Sequence, residues 1–274
     1  MNKKLLLLLA ALCLIAITVG LFFLGKNTCN LTRDKKCLPG SQAGMLVQVQ
    51  EEEAKGNLLA AKAAYQELVS NHFNSPEVMN WQKKIEAINV RLLFSSVVTP
   101  GSKLYEIKPG DTLSKIAREF KTTADLIKKS NNFSDDRINP GRKIKVWTQP
   151  FNVLVDKSQN ILILESGGEV IKVYIVSTGM NNSTPVGNFK ITDKIVNPPW
   201  FKPGEPEPIP PGSPENILGT RWLQLDIPSY GIHGTTDPKS LGKQVTQGCV
   251  RMANADVEEL YAIVPVGTEV TIAD

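Results

Sequence analysis

Eight prolines fall between residues 197 and 219: Pro198, Pro199, Pro203, Pro206, Pro208, Pro210, Pro211 and Pro214. Proline brings no backbone N–H to a ladder and clashes inside a helix, so this stretch is neither a central strand nor a helix. It reads as a semi-rigid loop over one face of a domain, with Trp200 and Phe201 as aromatic anchors. β-rich runs flank it, at 151–156, 160–164, 170–176 and 188–192 before it and 222–225 after it. Gly167-Gly168 sets the second and third of these as a hairpin. Short strands with Gly/Pro punctuation predict a mainly-β sandwich or barrel-like domain over residues 151–274. Asn254 is placed to cap a helix carrying Val257, Leu260 and Tyr261.

Upstream, residues 103–147 read as strand–helix–helix–strand, a small α+β module. Leu104-Tyr105-Glu106-Ile107 alternates as a strand, and Lys108-Pro109-Gly110-Asp111 is a turn. Asp111 or Thr112 can cap a helix with the stripe Leu113, Ile116, Ala117 and Phe120. Thr122 or Thr123 can cap a second helix carrying Leu126 and Ile127. Asn139-Pro140-Gly141 is another turn, before an alternating closing strand from Lys143 to Trp147. The Pro-Gly-Asp-Thr-Leu-Ser-Lys-Ile-Ala opening, Asn131-Asn132 and Ile138-Asn139-Pro140-Gly141 together resemble a LysM domain. That resemblance implies binding of N-acetylglucosamine chains, including peptidoglycan glycan strands. The implied groove lies between Gly110, Asp111, Thr112 and Leu113 on one side and Ile138, Asn139 and Pro140 on the other. Residues 101–150 carry 11 basic and 6 acidic groups, which suits an anionic wall surface as well as a solvated basic face.

Residues 44–95 look helical. Ala61, Ala64, Tyr65 and Leu68 recur at helical spacing, and Val78, Trp81, Ile85 and Ile88 continue the period after Pro76. The pattern resembles a single tetratricopeptide-like hairpin and is read as a spacer, with His72 as a solvated loop histidine. Residues 5–24 are uncharged and follow Lys3 and Lys4. Twenty residues of helix span roughly the 30 Å of a bilayer core. With lysines ahead of it and no small-x-small cleavage site at its end, residues 1–25 read as an uncleaved membrane anchor. The rest of the chain is then exported, to the periplasm or wall, and a cleaved signal peptide is the competing reading. Cys29 and Cys37 would lie outside the membrane, where a disulfide is permitted.

At 21% charged and 42% hydrophobic residues, with mean hydropathy −0.12, the chain is neither disordered nor a polytopic membrane protein. Residues 151–274 carry 9 basic and 14 acidic groups, which argues against a nucleic-acid partner. Four cysteines are too few for a disulfide scaffold.

One of two histidines stands in Tyr230-Gly231-Ile232-His233-Gly234-Thr235, and Thr246-Gln247-Gly248-Cys249-Val250-Arg251-Met252 follows. A thiol beside an imidazole or a cation has a lowered pKa and becomes a usable nucleophile. His233 and Arg251 are the candidates for that role. On spacing alone a buried structural cysteine is the commoner case, and no other clustered Cys or His is there to hold zinc. The full wording carries more. With Ser177-Thr178-Gly179, Thr184-Pro185-Val186-Gly187, Asn216-Ile217-Leu218-Gly219 and Pro265-Val266-Gly267-Thr268 it resembles the YkuD-type L,D-transpeptidase catalytic domain over residues 151–272. Gln247 departs from the histidine common at its place.

The resemblance implies cysteine-dependent acyl transfer. Cys249 would attack the carbonyl of the third residue of a peptidoglycan stem tetrapeptide, releasing D-Ala and leaving a thioester. His233 would move the proton, its ring oriented by the Gly234 carbonyl. The amides of Gly248 and Cys249 would form the oxyanion hole, with Arg251 balancing charge or holding the loop. An amine from a neighbouring stem would resolve the thioester into a cross-link. Water in its place would make an L,D-carboxypeptidase, and a degenerate site would leave a non-catalytic peptidoglycan-binding protein. No metal or organic cofactor is implied. Trp200, in the proline-rich loop, is expected to close over the stem peptide.

Overall fold

The computed structural model describes residues 41–274. They fall into two compact units, one ending at Ile88 and the other spanning Asn89–Asp274. The expected anchor at 5–24, and Cys29 and Cys37, lie outside the described residues. Among the described residues no helix is long and apolar enough to cross a membrane.

The first unit holds helices α1 (Gln42–Ala54) and α2 (Leu58–Asn71) and most of α3 (Val78–Leu93). Its described residues form three helices, where the sequence pattern over 44–95 predicted a hairpin of two. Ser41 caps α1 by accepting from the Gly44 amide, and the Glu51-Glu52-Glu53 run stays helical, with Lys55 paired to Glu52 at 2.9 Å. Gly56, at φ +72°, and Asn57, which accepts from the Ala60 amide, turn the chain into α2. Val49, Ala61, Tyr65, Leu68, Trp81 and Ile85 are buried. His72 ends α2 half-buried, and its Nε2 is enclosed without a partner among the described residues, so it is not the solvated histidine expected.

In the second unit, strands β1 (Ser102–Glu106) and β2 (Lys143–Trp147) pair antiparallel around helices α4 (Leu113–Glu119) and α5 (Ala124–Ser130). Tyr105, Ile107, Leu113, Ile116, Ile127 and Val146 fill the core between them. Thr112 caps α4 and Thr123 caps α5. Asp111 instead braces the preceding turn, accepting from the Lys108 amide at 2.8 Å and the Tyr105 hydroxyl at 2.9 Å. β2 does not alternate as predicted. Lys145 is buried, because its Nζ donates to the carbonyls of Leu92 and Ser95, the orphan acceptors at the end of α3. Burial lowers this lysine to about 8.

The remaining strands are β3 (Phe151–Asp156), β4 (Ile161–Ser166), β5 (Glu169–Gly179), β6 (Gly187–Val196), β7 (Arg221–Leu225), β8 (Gly231–His233), β9 (Gln244–Thr246), β10 (Val250–Met252) and β11 (Glu269–Ala273). They form one nine-stranded sheet in the order β10-β8-β7-β6-β11-β3-β4-β5-β9, and β10 also pairs with β5. That second pairing bends the sheet back on itself, which settles the barrel-like alternative. Helix α6 (Asn254–Ile263) buries Val257, Leu260 and Ile263 against Leu162, Tyr174 and Leu223 in a single core. The Thr123 hydroxyl donates to the Ala262 carbonyl and ties the 103–147 module to α6.

The proline-rich loop joins β6 to β7. Trp200 and Ile209 exchange two backbone hydrogen bonds of 2.9 Å, and the buried Asn216 amide donates to the Pro198 carbonyl at 2.9 Å. Its order comes from these internal bonds as well as from proline. Trp200 is half-buried, but Phe201 is 75% exposed and anchors nothing.

Candidate active site

Cys249 is the residue before β10, which runs parallel to β8 with Val250 opposite Ile232 and Arg251 opposite His233. Alternate residues of a strand share a face, so His233 and Arg251 face the same way. Cys249, two residues before Arg251, points to that side as well. Two segments far apart in sequence are thus brought together by two three-residue strands.

His233 is 2% exposed, its ring stacked on Trp222 at 5.7 Å between centroids. Its Nδ1 lies 2.7 Å from the Gly234 carbonyl oxygen, which favours the proton on Nδ1, and the Leu218 backbone lies within hydrogen-bonding reach of the ring as well. Burial pushes the imidazole down to about 4, with Arg251 acting in the same direction and the Gly234 bond against it. The ring is neutral at pH 7.

The half-buried Cys249 thiol donates to the Ser229 carbonyl at 3.5 Å. Ser229 sits at φ +66°, a left-handed conformation uncommon for serine. No hydrogen bond joins the thiol to His233 among the described residues. Burial pushes the thiol pKa up, opposed by the Gly231 backbone and Arg251. This corrects the expectation of a lowered thiol pKa: desolvation outweighs the cation. At rest the pair is a neutral thiol and a neutral imidazole.

The loop carrying Cys249 is held by two buried threonines. Thr184 Oγ1 donates to the Gly248 carbonyl at 2.8 Å and accepts from the Gly179 amide at 2.7 Å. Thr246 Oγ1 donates to the Cys249 carbonyl at 2.7 Å and accepts from the Gly248 amide at 3.1 Å. The Gly248 amide is therefore engaged, whereas that of Cys249 meets no partner among the described residues. Gly248 has φ +132°, and a Cβ there would lie 2.5 Å from the Tyr230 ring, so only glycine fits.

Asn254 does not cap α6; Ala253 holds the cap position. The Asn254 side chain turns back toward His233. Its Oδ1 accepts from the amides of Thr235 at 3.0 Å and Thr220 at 3.3 Å, and its Nδ2 donates to the Thr235 carbonyl at 2.9 Å. A Cβ at Gly219 or Gly234 would come within 2.2 or 2.1 Å of that oxygen. Asn254 therefore ties Thr235, the residue after Gly234, to Thr220, and so braces the Gly234 peptide whose carbonyl holds the imidazole. Sequence reading missed this role. The one visible hint was the two Gly-Thr pairs at 219–220 and 234–235, and nothing in the spacing connects them to Asn254.

Arg251 donates from Nη1 to Ser240 Oγ at 3.0 Å and forms no salt bridge among the described residues. Its Nε is buried without a partner.

In the 103–147 module, Ile107 accepts from the Gly141 amide at 2.8 Å and donates to the Arg142 carbonyl at 3.0 Å. The expected groove loops therefore meet at one end. Gly110, Thr112, Asn139 and Pro140 are exposed there, Asp111 and Ile138 half-buried. Leu113 is buried in the core and offers only its backbone.

A barrel-like β domain that sets Cys249, at the foot of β10, beside His233 on the parallel strand β8 has the parts of a cysteine acyl-transfer site. The family profile of the YkuD L,D-transpeptidase catalytic domain matches residues 150–272, and that of the LysM domain matches 105–147. The putative L,D-transpeptidase YkuD of Bacillus subtilis is 35% identical over 175 residues, covering 61% of this chain and 97% of that protein. The putative L,D-transpeptidase YqjB of the same organism is 42% identical over 128 residues, 44% of this chain and 70% of that one. An L,D-transpeptidase structure from Mycobacterium smegmatis matches with TM-score 0.40 and 17% identity, over 49% of this chain and 64% of that one. The chain belongs to the YkuD-type L,D-transpeptidase family and carries a LysM domain. It is an enzyme of that type, a cysteine acyltransferase of peptidoglycan, and its place is the cell envelope.

Proposed function

We propose that the chain is a membrane-anchored, wall-binding enzyme in four parts: an anchor at 1–25, a helical spacer at 44–95, a LysM domain at 103–147 and the catalytic domain at 151–274. The anchor holds the catalytic domain outside the cytoplasmic membrane. The LysM groove between 110–113 and 138–140 takes glycan, and the catalytic domain takes the stem peptides.

Cys249 is the nucleophile. As its sulfur bonds to the carbonyl carbon of the third stem residue, its proton passes to the Nε2 of His233. With the thiol raised and the imidazole lowered by burial, that transfer is uphill at rest. It has to be concerted with attack, as general-base catalysis is. The Gly234 carbonyl compensates the positive charge that develops on the ring. The Cys249 amide meets the oxyanion, a contact worth about 2.7–4 kcal/mol per donor, and Gly248 supplies the backbone geometry that lets it point there. Collapse of the tetrahedral species breaks the C–N bond, and His233 returns the proton to the departing amine. An acceptor amine then attacks the thioester, loses its proton to His233, and releases the thiol. Trp200 borders the donor peptide from the proline-rich loop.

The β8–β10 register that sets His233 and Arg251 side by side next to Cys249 carries this reading. The test is mass analysis of purified muropeptides incubated with the full chain. Cross-linked dimers with loss of D-Ala are expected. Loss of D-Ala without dimers would make water the acceptor, and unchanged muropeptides would leave only the binding function.

A further inference from the structure

Cys249 and His233 both lean on the hairpin formed by β7, β8 and the turn between them, residues 226–230. Ser229 in that turn supplies the carbonyl to which the thiol donates, and the ring of Tyr230 covers Gly248. On β7, Trp222 and Gln224 share a face and stand opposite His233 and Gly231. Trp222 stacks on the imidazole, and a Cβ at Gly231 would lie 2.6 Å from its indole ring. One side chain joins the two sides. Gln224 Oε1 accepts from Trp222 Nε1 at 2.9 Å. Its Nε2 donates to the carbonyls of Leu225 at 2.9 Å, Ile227 at 3.2 Å and Tyr230 at 2.9 Å. The carboxamide fits only this way round: reversed, it would set N–H against N–H and oxygen against three carbonyls.

These bonds tie down the backbone on both sides of Ser229, whose left-handed φ of +66° persists only where the surroundings over-determine it. An outer brace comes from Asp226, which accepts from the Lys190 amide at 2.9 Å and donates its own amide to the Lys190 carbonyl at 3.0 Å. At rest the sulfur is bonded to Ser229, so it has to swing to the imidazole for the proton to pass. A misplacement of about 1 Å in such a step can cost on the order of 10²-fold in rate. We propose that Gln224 is a positioning residue for the transfer: through Trp222 it sets the plane of the imidazole, through the turn it sets the sulfur, and the two reacting groups are placed as one unit. The assignment rests on Cys249 and His233 being the reacting pair.

The test is a double-mutant cycle on the full chain. Gln224→Met keeps the length of the side chain and removes both sets of bonds, whereas Trp222→Phe keeps an aromatic ring against His233 and removes only the N–H. Turnover of purified muropeptides gives kcat and KM, and iodoacetamide at about pH 8 gives the alkylation rate of Cys249. Each single variant should lower kcat about 10-fold, the size of one hydrogen bond, with KM moving less than about 3-fold. The double variant should lose no more than the worse single one, because the two side chains act as one unit. Alkylation should quicken about 3-fold in both single variants, as the loosened turn releases the thiol from Ser229. Additive losses in the double variant, a change confined to KM, or an unchanged alkylation rate in Trp222→Phe overturns the assignment. If Gln224→Met does not fold, the kcat and alkylation rate of Trp222→Phe decide it alone. A wild-type chain that turns over no muropeptide brings down the proposed function instead, and the alkylation rates, which need no substrate, still decide whether Gln224 and Trp222 position the sulfur.

Discussion

The LysM module and the loop around Cys249 both depend on tight turns, and they secure them in opposite ways. In the module the bonds are local: Thr112 to the Lys115 amide, Thr123 to the Leu126 amide and Asp111 to the Lys108 amide, each three residues apart. At the active site the partners are remote. Thr184 reaches Gly248 across 64 residues, and Asn254 reaches Thr220 and Thr235 across 34 and 19. Locally closed turns survive changes elsewhere in the chain. Remotely closed ones make the geometry of two catalytic strands hostage to the whole barrel.

The largest expected effect removes the chemistry and leaves both kinds of turn alone. Cys249→Ala should abolish cross-linking with little change in melting temperature and none in glycan binding; turnover within tenfold of wild type would sink the nucleophile assignment. Next comes the remote clasp. Asn254→Ala deletes three hydrogen bonds and should lower stability by about 4 kcal/mol and kcat by about 10²-fold, with KM moving less. If the folded fraction keeps the wild-type kcat, Asn254 only stabilises the barrel.

Burial of His233 gives a pH signature of similar kind. Its folded pKa of about 4 lies below the ordinary 6.5, so the unfolded chain binds the extra proton. That stabilisation is whole above about pH 6.5 and falls away as pH drops toward 4, by something on the order of 3 kcal/mol. Urea midpoints across that range should show the slope in the wild type and not in His233→Gln. The smallest effect belongs to the local side. Thr112→Ala should cost about 1 kcal/mol and weaken binding to stripped glycan strands, with turnover of soluble muropeptides unchanged.

The same contrast explains what could be read from the sequence. The caps at Thr112 and Thr123 follow from residue type and position, and the β-rich runs around the prolines follow from punctuation. Asn254 was misread because a helix-start asparagine is ordinarily a cap, and only the folded barrel shows Gly219 and Gly234 clearing room for it. Lys145 broke the strand alternation because the α3 carbonyls that receive it lie some 50 residues away. Sequence offered Arg251 as a cation that lowers the Cys249 thiol; it acts in that direction, but burial raises the thiol by more. Sequence shows which charges are near but not how much water is lost, and here desolvation decides.

If desolvation decides, the resting site holds a neutral thiol and a neutral imidazole, and the proton moves only during attack. Alkylation of Cys249 by iodoacetamide, followed by mass spectrometry from pH 5 to 10, tests it directly. The rate should climb about tenfold per pH unit through pH 7–9, with no plateau below. A rate already high and flat between pH 5 and 8 would reveal a preformed thiolate–imidazolium pair and contradict it.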